Sequence, residues 1–552
     1  MTRAWAKPMN AAAPASEREA SRYPAVEIII AAVLSLAGLV LSIVMALASD
    51  GVHHDDDLVH HQMARWSFEY PQYLLHEWGR PGFTVLYAIP AQFGWTTARI
   101  FSGVLTAATG WLAFLIARRQ GISLAALTPL LFWLQPMTFT LSYTTLTEPV
   151  LAFYLTLAMW LLISHRMAAS AIAVSLTMLT RHEAALFLAL WAVEMWRRRA
   201  RWWQFALLLW APLAHNVLSA LFLWSAPLLM FLEPQPTTQY GSGAWYSMLA
   251  RWMLACGIGP VILACLGAFS TVRRNGGWLW IGCGIAYLAA HSLLYRFGLF
   301  ATGGYYRFLV AIGPIVAVAA ADGLSNWLAA ARNAIGCDHL KLADARRGLL
   351  ITGVSVAFFA LLVDWELPHW LDWLRAWARA GTGALIAGCV VAAGGTYLRS
   401  RIARGGAAAL LPLSLIFLSV WQPILGRGMR PPYTQAAPLR LTKDQFIIRD
   451  ACTWIRANGL ADRPVVSANG WVNEYLQRSQ SPFRPEPKFA LERMNVGDLF
   501  VWDANYAPAP PHNIPLESLT MRRDLLERWR DESIYCVVFE RVPAGNADEP
   551  RH

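Results

Sequence analysis

The run GVHHDDDLVHHQMARWSFEYPQYLLHEWGRP, residues 51–81, decides how the rest of the chain is read. It lies between two long apolar runs, 26–48 before it and 97–117 after it. It carries three successive carboxylates, Asp55, Asp56 and Asp57. Four histidines crowd them (His53, His54, His60 and His61), and Arg80 stands near the end. Beside membrane-length apolar segments, so polar a loop belongs where water or a protein cavity meets it, because hydrocarbon cannot satisfy its polar groups.

Composition supports a membrane setting. Of 552 residues, 56% are hydrophobic and only 15% charged, with 27 Trp; soluble globular chains carry about 25% charged residues. The formal charge of +11 raises the question of a nucleic-acid partner. The basic residues form no single patch, however. They recur in short clusters between apolar runs, as in cytoplasmic loops, and nucleic-acid binding is set aside. Run 26–48 is too long for the apolar part of a signal peptide and shows no clear cleavage site, so it reads as a retained transmembrane helix.

Taken in order, the basic clusters orient the chain. Residues 1–25 form a cytoplasmic tail, and 26–48 runs outward. The loop 51–94 is then outside, with an aromatic piece, SFEYPQYLLHEW, expected to lie in the interface. Further apolar runs follow at 124–142, 150–163, 168–179, 184–196, 203–223, 248–269, 278–294 and 309–321, then at 349–363, 382–397 and 407–425. The loop 233–245 is a candidate lid, and 364–380 an amphipathic Trp-rich piece. This gives an all-α membrane domain over 26–428 with roughly thirteen spans and every basic cluster on one side. Residues 429–552 are polar and Pro-rich. Strand-length apolar pieces (464–467, 498–503 and 535–539) alternate there with helix-like ones (443–458, 472–477 and 516–530), which predicts a small extracytoplasmic α/β domain. Of the seven cysteines, none has zinc-ligand or CxxC spacing. Cys452 and Cys536 could pair if that domain is outside.

Three adjacent Asp residues permit two readings. Packed in a partly dry site, one would have its pKa raised by its neighbours and serve as a base. Alternatively, they cap the helix-like segment that follows.

The spacing adds to this. Residues 56–65, DDLVHHQMAR, resemble the DExxYxxxAR pattern of the GT-C superfamily of membrane glycosyltransferases. That superfamily includes the protein O-mannosyltransferases and the lipid A aminoarabinose transferases. Its pattern falls in the first external loop, after the first transmembrane helix. Asp56 matches the family's proposed base, Asp57 stands where Glu is usual, and His60 where Tyr is usual. Thr147-Glu148-Pro149-Val150-Leu151 resembles the family's (T/S)(E/D)xxL element. Thr180-Arg181-His182-Glu183 resembles its (T/S)RxE element, and Tyr306-Arg307-Phe308, followed by Pro314, its RY/RF…P element. The resemblance implies a donor in which a sugar hangs on a polyprenyl or dolichyl phosphate, used on the outer face of the plasma membrane. It implies Asp56 as base, with Asp57 and Asp55 beside it. Arg80, Arg181 and Arg307 would hold the lipid phosphate, for which paired guanidinium donors are suited, with Glu148, His182, Glu183 and Tyr306 nearby. The sugar would be mannose or another hexose or pentose, and the acceptor a glycan, lipid or protein. No cofactor is implied; a divalent ion held by the His and Asp residues is the minor alternative.

A transporter or flippase for a lipid-linked or anionic substrate is the competing class. It should carry ionisable residues near the bilayer midplane and broken helices in repeated halves. Here the ionisable residues gather at one face and no internal repeat is visible.

Overall fold

The structure, a computed structural model, describes residues 24–228, 241–336 and 438–543. The expected spans at 349–363, 382–397 and 407–425, the piece at 364–380, most of the tail 1–25 and most of the lid 233–245 lie outside these residues.

The described part of 24–336 is helical. Among the described residues four helices are long and apolar enough to cross a membrane: Pro24–Ala48, Trp95–Arg119, Gly277–Phe297 and Tyr306–Ala329. Glu148–Ile163, Met167–Met178 and Trp210–Leu223 are shorter apolar helices. The first helix presents apolar side chains outward (Ile29, Val33, Leu36, Leu47) and buries small ones (Ala31, Ser35, Gly38, Ser42) against its neighbours. This is the arrangement helices use to approach closely in lipid.

Three expected continuous spans are broken, each for a local reason. Run 248–269 divides into Ser247–Cys256 and Ile258–Val272, bent by 108°. Gly257 takes φ +82° at the break, and Pro260 follows within one turn, where its ring cannot continue the preceding helix. Run 124–142 divides into Thr128–Trp133 and Pro136–Leu141. Gln135, before the proline, is extended (φ −76°, ψ 119°). Run 203–223 divides into Trp202–Ala206 and Trp210–Leu223, the second with Pro212 in its first turn.

Residues 438–543 form a four-stranded sheet, β1 Val465–Ser467, β2 Leu499–Asp503, β3 Leu525–Arg530 and β4 Cys536–Arg541, in the order β1-β2-β4-β3. β1 pairs β2 in parallel, and the remaining pairings are antiparallel. Lys443–Ala457 opens with a capping box, Thr442 to Gln445. The helix expected over 516–530 is instead Leu516–Thr520 followed by β3; pairing with the β-branched and aromatic face of β4 overrides helical propensity. Cys452 and Cys536 are free thiols buried in one apolar cluster.

The polar loop sits between the helical bundle and this sheet unit. Val52 and Leu58 bury in the same cluster as Ile448, Trp471 and Val501. Gln62 donates to the Gly470 carbonyl at 2.9 Å, and Tyr73 to that of Gln480 at 2.9 Å.

Candidate active site

The loop helix runs Asp55–Trp66. Its cap is His54 (φ −153°, ψ 154°), whose Nδ1 lies 3.3 Å from the Asp56 amide and 3.2 Å from Asp56 Oδ2. The three Asp residues fill the first turn, where they oppose the positive end of the helix dipole. They are not the cap. Successive helical residues point about 100° apart, so the carboxylates part company.

Asp55 turns toward the sheet unit and accepts from Trp471 Nε1 at 3.3 Å and from the Tyr506 hydroxyl. Asp57, with no exposed surface, turns into the bundle. It accepts from the Thr145 amide and hydroxyl, and Arg99 Nη2 stands 3.9 Å away. Arg99 also donates to the Ser49 carbonyl at 3.1 Å and to that of Gly51. Burial raises the Asp57 pKa, opposed by Arg99 and Thr145. Asp57 is therefore a bolt between the first loop and the 143–147 turn.

Asp56 alone faces the other charged groups. Arg307 Nη2 bonds its Oδ2. Burial pushes its pKa up, but Arg307, His54 and His60 outweigh that and hold it well below the usual range. The expectation that neighbouring carboxylates raise it is thus corrected, since those neighbours look away.

From Asp56 a chain of ion pairs crosses four segments. Arg307 Nε lies 3.6 Å from Glu148 Oε1, and Arg181 Nη1 lies 3.2 Å from that same oxygen. Arg181 Nη2 then reaches Glu183 Oε1 at 3.1 Å. Glu148 opens the helix Glu148–Ile163, but its side chain serves the arginines rather than a cap. The Arg181 guanidinium lies over the Phe308 ring at 3.8 Å. Arg80 takes φ +59°, a region few residues other than glycine adopt, and donates to His182 Nδ1 at 3.0 Å. Gly82 permits this approach: a Cβ there would stand 2.7 Å from Thr180 Cγ2. Burial, then Arg80, lowers the His182 pKa to about 3, so the neutral ring accepts that bond. Tyr306 packs against the bundle core, while Tyr305 meets His54 edge-on at 5.5 Å.

Among the described residues, three guanidinium donors in this cluster have no hydrogen-bond partner despite burial: Arg307 Nε, Arg307 Nη1 and Arg181 Nε. Arg307 and Arg181 are only 5% and 9% exposed. Buried guanidinium donors are costly unless matched. Spare donors converging from two arginines beside a third are chemically an anion site. Among the described residues no group of three or more His, Cys, Asp or Glu could hold a metal ion.

Sequence reading missed Arg99 and Thr145, and took His54 as a possible metal ligand rather than a cap. Thr145 lies two residues before the Thr147-Glu148 element, and Arg99 lay within an apolar run, where a charged residue is itself a signal. For His54 nothing but its place before the acidic turn pointed to a cap.

Burial lowers the pKa of His53, His60, His61 and His182 to about 3 each. The unfolded chain binds these protons near 6.5 and the folded one does not. The stability they contribute is thus present above pH 6.5 and lost as pH falls toward 3. The melting temperature of the purified chain is expected to drop steadily from pH 7.5 to pH 5. A flat profile would contradict four buried neutral rings.

A bundle of long apolar helices, with a carboxylate-bearing loop helix after the first of them and a small α/β unit packed on that loop, is the arrangement the sequence resemblance implies. The solved structures agree. Crystal structures of ArnT from Cupriavidus metallidurans, a GT-C glycosyltransferase, superpose over nearly the whole chain. The apo form gives a TM-score of 0.57 at 14% identity, covering 94% of this chain and 99% of that one. The form bound to undecaprenyl phosphate gives 0.53 at 13% identity, covering 95% and 99%. No protein-family model matches the sequence, and no curated protein matches it.

Proposed function

We propose that this chain is a multi-pass membrane glycosyltransferase moving a sugar from a polyprenyl-phosphate donor to an acceptor on the outer face of the membrane. The observation that carries it is the set of unmatched guanidinium donors on Arg181 and Arg307, within bonding reach of Asp56 and Glu148. The fold shared with ArnT supports it, and one ArnT structure holds undecaprenyl phosphate.

In this reading Arg307, Arg181 and Arg80 bind the donor phosphate. The acceptor hydroxyl attacks the anomeric carbon, the carbon–oxygen bond to phosphate breaks, and polyprenyl phosphate leaves with the electron pair. The acceptor proton passes to Asp56, and a single displacement inverts the anomeric centre. Asp56 is a poor base while Arg307 holds it. A phosphate drawing on Arg307 weakens that hold, so donor arrival makes Asp56 more basic at the moment a base is needed. The sugar is a hexose or pentose.

Radiolabelled transfer from a panel of polyprenyl-phosphate sugars to membrane extracts tests the activity; no transfer from any of them sinks it. Arg181→Ala should raise the donor concentration needed for half-maximal rate at least tenfold, one lost charge-assisted bond being worth about 1.5–3 kcal/mol. Arg181→Lys should recover only part of this, because an ammonium cannot make the paired contact. Unchanged donor saturation in Arg181→Ala removes the clamp.

Orientation follows from the basic clusters. Reporter fusions after Arg201, Arg274 and Arg404 should read cytoplasmic, and fusions after Asp50 and at the C-terminus external. A cytoplasmic C-terminus would place the sheet unit on the wrong side for this reaction.

A further inference from the structure

Where the loop meets the sheet unit there is a cavity of about 210 Å³. It is separate from the arginine cluster and unlike it in chemistry. Among the described residues its charged lining is Asp55 and Asp444, with no Lys or Arg. Trp471, Tyr506 and Tyr535 supply aromatic surface. Asn469 and Asn505 supply amides, which both donate and accept. The inner wall is dry: Asn469 and Trp471 are each 3% exposed, while Asp444 and Asn505 are exposed at the mouth. His54 also lines the cavity, and its Nδ1 lies 3.2 Å from Asp56 Oδ2. One imidazole ring therefore separates the cavity from the candidate base.

Aromatic walls with carboxylates, amides and hydroxyls, but without cations, suit a group that is apolar on its faces and hydroxylated at its edge. They disfavour phosphate, which would meet two carboxylates and no positive charge. The volume lies below the roughly 300–1,000 Å³ of drug-sized pockets, which limits the occupant to about one ring. We infer that this cavity receives the acceptor, through an uncharged sugar ring, and presents its hydroxyl toward His54 and Asp56 from the side opposite the donor phosphate. The inference rests on the glycosyltransferase reading and adds to it the acceptor's chemical class and place of entry.

The test is equilibrium binding to the full chain in detergent micelles. The probes are a panel of methyl hexopyranosides, the matching hexose 6-phosphates and undecaprenyl phosphate. At least one neutral hexopyranoside should bind, about tenfold or more tighter than its phosphate. Asp444→Asn and Asn505→Ala, both at the exposed mouth and so harmless to folding, should each weaken neutral-sugar binding about five- to tenfold, the scale of one hydrogen bond. Neither should change undecaprenyl phosphate binding. The inference is overturned if no neutral sugar binds, if the phosphates bind better, or if both variants bind as the parent does. Lipid phosphate bound without sugar removes this inference alone; loss of lipid-phosphate binding in the parent chain removes the donor reading beneath it.

Discussion

Asp56→Asn is expected to lower sugar transfer by about 10²–10⁴-fold, the usual contribution of a positioned base, with protein level and donor binding preserved. Asn keeps the size of the side chain and an oxygen for Arg307 to bond, but it cannot take a proton. The first turn also tolerates Asn: the cap is His54, and Asp55 and Asp57 still oppose the helix dipole. Neighbouring substitutions should behave differently, because each carboxylate has its own surroundings. Asp57→Asn leaves Arg99 without its buried counter-charge and should appear as lost folded protein rather than slowed turnover. Asp55→Asn loosens the Tyr506 and Trp471 contacts to the sheet unit and should be the mildest. Near-normal transfer by Asp56→Asn would end its role as base.

The motif match singled out Asp56 in the sequence, but the separate partners of Asp55 and Asp57 could not be read there. Three adjacent Asp residues look equivalent as letters; they differ only once a helix begins at residue 55 and turns each about 100° from the last. Convergence of Glu148, Arg181 and Arg307 on the loop was foreshadowed by the order of four weak motifs, although Arg307 lies 251 positions from Asp56. Hydropathy located the long helices, because a run of about 20 apolar residues has few other uses. It overlooked the breaks at Gly257 and Pro136, which depend on one residue's backbone preference inside a uniformly apolar run. Strands β1, β2 and β4 were legible as short apolar pieces between turns. β3 was not, since LLERWR fits a helix equally well until β4 lies beside it. Docking of the sheet unit on the loop left no sequence mark, because Val52, Leu58 and Ile448 are ordinary apolar residues until the fold brings them together.

Arg307→Ala is expected to have the other large effect, on two observables at once. Arg307 is 5% exposed and serves both Asp56 and Glu148. Its removal strips Asp56 of its strongest counter-charge, so the Asp56 pKa rises. Removing one partner of a buried pair costs about 3–5 kcal/mol; His54 beside Asp56, and Arg181 beside Glu148, soften that loss. Transfer should also fall at least about 10²-fold, since the phosphate loses the donors nearest the base. A more basic Asp56 would by itself favour proton transfer, so a fall in rate despite the raised pKa identifies Arg307 as a donor-binding group and not merely a brace. The double variant Arg307→Ala with Asp56→Asn separates the two effects. Without the orphaned carboxylate, melting temperature should recover toward the parent, giving a coupling of about 0.5–3 kcal/mol between the sites. Activity should stay lost. Stability that fails to recover would mean the pair is not the source of the cost, and transfer surviving in Arg307→Ala would place the donor phosphate elsewhere.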